Sequence, residues 1–320
     1  MKVELIVVSS TGVLIRGKMS GAVTQIPIEK EYEKNPDMTP EDIKKFREWL
    51  MSQPHLPGEH ISDLNLAITF HSCENSSEVS KQVLDLHYTL KTLFTAFFKD
   101  REFDKEVEKA LNTVLFALLP TPIDHGFRVL YARLIDPDAG NFNFPKAIRA
   151  LMMGFDIWQQ EEGTWPGFVI MIDMHLCTLS HVAKLDVMSI KQVLYFLQEC
   201  MLVRLKGFHF LNAPYFMDKV MMLLKPFMKK SLMDIIHIHQ PNSEELYKFV
   251  PKKAFPKEEG GEYKDHETIR DEMIERLKAN DKFFKTEGLC RVNEALRPGG
   301  KSKIADLFSV QGSFKKLDID

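Results

Sequence analysis

Cysteine is scarce in this chain. Its 320 residues include four, Cys73, Cys177, Cys200 and Cys290, and no two of them have CxxC spacing. That excludes a disulfide framework and a cysteine-ligated zinc site, and reads as free thiols in a reducing compartment. No run of about 18 apolar residues occurs, so no transmembrane helix is expected. Met1 to Val8 imitates a signal peptide, but Glu4 interrupts it, Ser9-Ser10-Thr11-Gly12 ends it early and no small-residue cleavage pattern follows. Residues 1–36 are expected to form a poorly ordered extension with no more than a short strand.

An excess of one charge is missing too. The 42 Lys and Arg against 45 Asp and Glu leave a net −3. This argues against a general nucleic-acid binder while leaving room for a local basic patch.

Catalytic signatures are equally absent: there is no GxSxG elbow, no cofactor fingerprint and no recognisable nucleophile. Gly300-Lys301-Ser302 looks like the end of a phosphate loop. The glycine that motif needs at position 295 is Ala295, and no buried strand precedes it. His237 and His239 fall on one strand face, but spacing supplies no third ligand, so a hydrogen-bonded structural pair is the better reading. Asp173-Met174-His175 ends a strand with no nucleophile to serve. Asn75-Ser76-Ser77 is a glycosylation sequon only in a secreted chain. No enzyme, cofactor or metal is expected.

What is present is a globular composition, 44% hydrophobic and 27% charged, long enough for two modest domains or one with a helical extension. Thr39-Pro40-Glu41-Asp42 starts a helix with a Thr cap and Pro at its first position, and Gln53-Pro54-His55-Leu56-Pro57-Gly58 ends it. Leu64 to Cys73 has helical apolar spacing, and a longer helix is predicted over 77–98. Strands are predicted at 127–134, 168–173, 207–212 and 235–239, with helices at 145–160 and 189–201 between them. Phe168-Val169-Ile170-Met171-Ile172-Asp173 is nearly unbroken in its apolarity, as a strand buried on both faces should be. Further helices are predicted over 243–249 and 265–284. There is no internal repeat.

The chain is organised around residues 207–239, which read as strand, wide apolar helix, strand, the pattern of a parallel crossover. Pro214 suits a first helical turn, and Phe216, Met217, Val220, Met221, Leu223, Leu224, Phe227 and Met228 make one continuous apolar stripe. Two readings of that stripe stay open. It covers a sheet, or its methionines and phenylalanines form an adaptable lid over an apolar ligand, with nearby lysines suited to an anionic membrane.

Lys206-Gly207-Phe208-His209-Phe210-Leu211-Asn212-Ala213-Pro214, Lys225-Pro226-Phe227, His237-Ile238-His239 and Phe255-Pro256-Lys257-Glu258-Glu259-Gly260-Gly261-Glu262 follow in order at close spacing. Together they resemble the CRAL-TRIO (Sec14-like) lipid-binding family, in particular the animal branch of α-tocopherol transfer and cellular retinaldehyde-binding proteins. The ending Asp306 to Asp320 is similar to the tail of insect members. Trp49-Leu50 with Gln53-Pro54-His55-Leu56-Pro57 resembles the small helical domain that precedes the lipid domain. The family's basic Leu-Arg-Phe-Leu-Arg helix is not matched: Leu64-Asn65-Leu66-Ala67-Ile68-Thr69-Phe70 lacks its arginines.

The resemblance implies an α/β fold: a small all-helical N-terminal domain over 37–110, then an α/β lipid domain over 111–275 with a mostly parallel sheet and a helical gate. A C-terminal helix and tail would occupy 276–320. It implies an apolar pocket with Ala150, Leu151 and Gly154 on one wall and Val193, Phe196, Met201 and Val203 on another. Strand period places Phe168, Ile170 and Ile172 on one face, and Phe208 and Phe210 on one face of the next strand. The Phe216–Met228 stripe becomes the gate. Arg204 and Lys206 match half of the family's phosphoinositide patch. Ser231 and Ile235 replace basic residues in the other half, where Lys229 and Lys230 are the nearby substitutes.

The function implied is that of a cytoplasmic carrier, transient at membranes, for a small hydrophobic ligand such as a tocopherol, retinoid or other lipid. The alternative is an adaptor that senses phosphoinositides without moving cargo.

Overall fold

The computed structural model describes residues 21–120 and 122–308. The expected disorder of the first 36 residues falls partly outside these, and over 28–34 it is corrected. There α1 (Ile28–Lys34) buries Glu31, whose carboxylate accepts from the Thr164 backbone N–H at 3.0 Å and the Thr164 hydroxyl at 2.5 Å, with Lys34 Nζ 2.5 Å away. Both donors go to Oε2 while Lys34 faces Oε1, and a buried carboxylate with two donors and a cation ties the segment down.

The helical region continues with α2 (Pro40–Met51), α3 (Asp63–Ser72), α4 (Ser77–Leu93), α5 (Thr95–Phe98) and α6 (Lys105–Thr113). α2 begins as its sequence predicts, with Thr39 and Asp42 forming a reciprocal capping box. The single helix predicted over 77–98 is two, because Phe94 leaves the helical region at φ −85°, ψ 66°. Its ring, with those of Phe97 and Phe98, is buried in the main core.

One sheet carries the second half, in the order β1-β2-β3-β4-β5. It comprises β1 (Val114–Leu118), β2 (Arg128–Leu134), β3 (Phe168–Asp173), β4 (Leu205–Leu211) and β5 (Ile236–Ile238). The predicted first strand is therefore the second: β1 precedes it and pairs antiparallel, Val114 opposite Leu134, while the remaining pairs are parallel. α7 (Phe144–Glu162), α8 (Leu179–Ala183), α9 (Val187–Glu199), α10 (Met217–Leu224) and α11 (Lys230–Met233) lie between the parallel strands.

Successive crossovers step in one direction, so right-handed connections put their helices on the same face. The side chains agree. Leu130, Ala132, Phe168, Ile170, Phe208 and Phe210 join α7, α9 and α10 in one core. Their neighbours Val129, Tyr131, Val169, Met171 and Leu211 point the other way, under Val250, Ala254, Phe255 and Ile269. That second layer comes from the loop after β5 and from α12 (His266–Lys278). The helix predicted over 265–284 is broken into α12 and α13 (Asp281–Glu287), and the one over 243–249 is a 3-10 turn at Glu244–Lys248. A short α14 (Ile304–Leu307) ends the described chain.

Candidate functional site

The front of the sheet is where the predicted wall residues gather. The parallel register sets Ile170 beside Phe208 and Ile172 beside Phe210. The Phe208 and Phe210 rings lie 5.2 Å apart, and Phe168 stacks on Trp165 at 5.3 Å. Ala150, Phe196 and Met201 are buried in the same cluster, and Leu151, Val193, Ile172 and Val203 pack against it half-buried. Two of these positions face elsewhere as well. Phe196 meets Phe98 and His87 of the helical region, with ring centroids 5.1 and 5.4 Å away. Gly154 lets α12 approach, since a Cβ there would lie 3.1 Å from Met273 Cε.

The predicted gate helix over 216–228 is shorter than expected. α10 stops at Leu224, residues 225–227 form a 3-10 turn, and Met228 is extended at φ −99°, ψ 132°. The cause is Pro226, which has no N–H to continue the ladder. The stripe still points inward: Phe216, Met217, Val220, Met221 and Met228 are buried in the front core, and Leu223, Leu224 and Phe227 are half-buried against it. The opposite side carries large apolar groups in water, Tyr215 at 89% and Met222 at 71% exposure, next to exposed Lys219 and Lys225. The segment is anchored at both ends. Ala213 N–H donates to His239 O at 2.9 Å and Asn212 Nδ2 to Asp173 Oδ1 at 2.8 Å. At the far end Gln198 of α9 donates to Phe227 O at 2.9 Å and accepts from Lys229 N–H at 2.6 Å.

The four predicted phosphoinositide cations are not equivalent. Arg204 is committed to the helical region: its Nε donates to His71 O at 2.8 Å and its Nη2 lies 3.3 Å from Glu74. Lys229 pairs with Glu199, and Lys230 with Asp234 at 2.7 Å. Lys206 is exposed at the start of β4.

His209, His237 and His239 stack on the back of β4 and β5 under Phe249, with His209 Nδ1 2.9 Å from His239 Nε2. Burial, then the neighbouring imidazoles, lower His209 to about 4, so it is neutral and shares a hydrogen bond. Asp173 accepts from Tyr131 at 2.7 Å as well as from Asn212 and the His175 N–H at 2.9 Å. The imidazoles thus pack in the back layer, while Asp173 ties that layer to the start of the gate segment through Asn212. A cleft of about 360 Å³ between Trp49, Asp85, Thr89 and Arg297 lies in the helical region, away from the sheet. Gln198 was not picked out in the sequence; an amide at that position of an amphipathic helix carries no signal of what lies across from it.

Family models match both parts of this architecture. Residues 120–261 match the CRAL/TRIO domain model and residues 35–107 the Pinta-like UBA domain model. Rat Clavesin-1 is 22% identical over 233 residues, covering 72% of this chain and 66% of that protein, just under two thirds. Human Clavesin-2 is 22% identical over 237 residues, 72% of this chain and 71% of that one. The crystal structure of Sfh5 aligns with TM-score 0.39 and 12% identity, over 75% of this chain and 90% of that chain. Residues 120–261 thus form a CRAL-TRIO (Sec14-like) domain, behind a helical N-terminal region.

Proposed function

We propose that this protein carries a small hydrophobic molecule between the front of its sheet and helices α7, α9 and α10, and exchanges it at membranes. The observation that carries the reading is the two-sided character of the 215–228 segment. Its inner side is buried on the Phe168, Ile170, Phe208 and Phe210 wall, while Tyr215 and Met222 stand in water on its outer side.

Four buried side chains of the segment, Phe216, Met217, Val220 and Met221, would cost about 6–12 kcal/mol to expose to water, at about 1.5–3 kcal/mol each. Against a bilayer, acyl chains replace the wall and most of that cost disappears. Exposed Tyr215 and Met222 are already placed to insert, and Lys219 and Lys225 to meet anionic headgroups. Opening therefore belongs to the membrane-bound state.

The cargo fitting such a surface is tocopherol-, retinoid- or otherwise lipid-like. Apolar aromatic and Met-rich walls discriminate weakly between molecules differing by a methylene or two. The division into domains at 37–110 and 111–275, with 276–320 as a closing helix and tail, belongs to the same reading, as does a cytoplasmic location. No covalent step is involved. A phosphoinositide sensor without cargo is less well supported, because Arg204, Lys229 and Lys230 each already hold a carboxylate. Organic extraction of the purified protein followed by mass spectrometry separates the two. About one apolar molecule per chain is expected; phosphoinositide alone, or no lipid, would contradict the carrier.

A further inference from the structure

The break in the gate segment leaves backbone groups that its helices cannot satisfy. Pro226 ends the ladder, and Met228 between the 3-10 turn and α11 is extended. An extended residue needs a strand-like neighbour for the carbonyl before it and the N–H after it. Among the described residues no strand pairs with it. The Gln198 side-chain amide takes that place: Nε2 donates to Phe227 O at 2.9 Å and Oε1 accepts from Lys229 N–H at 2.6 Å. One planar amide thus reads residues i and i+2 as a peptide group in a ladder would.

The same Nε2 also donates to Leu194 O at 2.7 Å, one turn back along α9, which fixes the amide's direction. Glu199, next along α9, pairs with Lys229 Nζ. On the same stripe of α9, Lys191 donates to Leu307 O at 2.5 Å and Tyr195 meets Phe308 edge-on at 5.2 Å. α9 is thereby held by the C-terminal segment at one end while it holds the gate segment at the other.

We propose that Gln198 is the positioning residue of the gate, a fixed pivot that keeps the 227–229 end on α9 while α10 swings. This deepens the carrier reading and rests on it. A pivot of this kind confines movement to α10 and its exposed Tyr215 and Met222 face, so the opened segment returns to one register. Without it the 227–229 end keeps only the Glu199–Lys229 ion pair and the run into β5, and the gate loses its dependence on a membrane.

Amide hydrogen exchange on the full chain tests this, with and without phosphatidylcholine–phosphatidylserine vesicles. In the parent, the amides of 217–224 should speed up on adding vesicles while that of Lys229 stays protected. In Gln198→Leu, which removes both hydrogen bonds at similar volume, Lys229 should exchange at least ~10-fold faster, the loss of about 1.4 kcal/mol of local protection. The 217–224 amides should then be fast without vesicles. Gln198→Glu keeps the acceptor for Lys229 but loses the donor to Phe227 O. It should leave Lys229 protected while freeing α10 in part, and it retains the test if Gln198→Leu fails to fold.

Unchanged Lys229 protection in Gln198→Leu would overturn the clamp. Freed Lys229 with parent-like vesicle dependence in α10 would overturn the pivot. If parent α10 ignores vesicles, the gate reading itself fails, and that outcome is distinct because the Lys229 amide still reports on the clamp.

Discussion

Phe208 sits on the front of the sheet with Ile170 beside it and Phe210 against its ring. A carboxylate there has no partner and would be buried at high cost. Phe208→Asp is expected to fold with no extractable apolar molecule; a folded variant that still yields parent-like cargo would remove this wall from the site. Strand alternation grouped Phe168, Ile170 and Ile172 on one face of β3, and Phe208 and Phe210 on one face of β4; which face covers the core is set by the helices that pack there. The basic patch was less legible. Arg204 matched a family position, yet its guanidinium is spent on His71 O and Glu74 across the junction with α3, a contact between residues 133 positions apart that no local pattern encodes. Charge reversal is therefore informative only at exposed Lys206. Lys206→Glu should weaken binding to anionic vesicles and flatten its salt dependence, while Arg204→Ala should chiefly lower the unfolding midpoint in urea. Equal vesicle affinity of Lys206→Glu and parent across a salt series would take Lys206 out of the membrane surface.

Among the elements, those with one clean period were legible and those with a tertiary cause were not. β3 declares itself by composition, and α2 by its cap. β1 is hidden because the amphipathic helix α6 runs directly into Val114 with no turn residue between them. α1 is polar in sequence and is held by Glu31 reaching under Thr164, again a distant partner. Gly163 makes that contact possible. It lies at φ +70°, and a Cβ there would collide with the Glu31 carboxylate. Gly163→Ala should therefore destabilise by about 1–3 kcal/mol in urea unfolding, and Glu31→Ala combined with it should relieve part of that loss. The short strand β5 hangs on the histidine stack. His209 is lowered to about 4 from an ordinary value near 6.5, so the unfolded chain binds the proton first. Its contribution is whole above about pH 6.5 and is lost as pH falls toward 4. Urea midpoints should drop over that window, and less steeply in His209→Asn; an identical pH slope in the variant would show that the stack does not carry the effect.

Across the whole molecule, the helical region is joined to α7 and α13 by a buried charge cluster. Lys91 of α4 meets Asp156 of α7 at 3.1 Å and Glu287 of α13 at 2.7 Å, and Arg101 reaches Asp156 at 2.6 Å. Burial alone would raise both acids, but Lys91 and Arg101 hold Asp156 below its usual range and Glu287 well below it. The helical region thus acts as a frame behind α7 and α9, and among the described residues the 215–228 segment carries the most exposed large apolar side chains of the front cover, Tyr215 and Met222. For the proposed carrier, that arrangement predicts where cargo would leave. The most direct test is to load the protein with its own extracted cargo and count molecules retained, by mass spectrometry, with and without phosphatidylcholine–phosphatidylserine vesicles. Cargo should stay bound in buffer and pass to vesicles, and Tyr215→Ser with Met222→Ser should slow that passage at least ~10-fold, a barrier increase of about 1.4 kcal/mol. Release into buffer at the same rate without vesicles, or passage undiminished in the double variant, would contradict exchange through this segment.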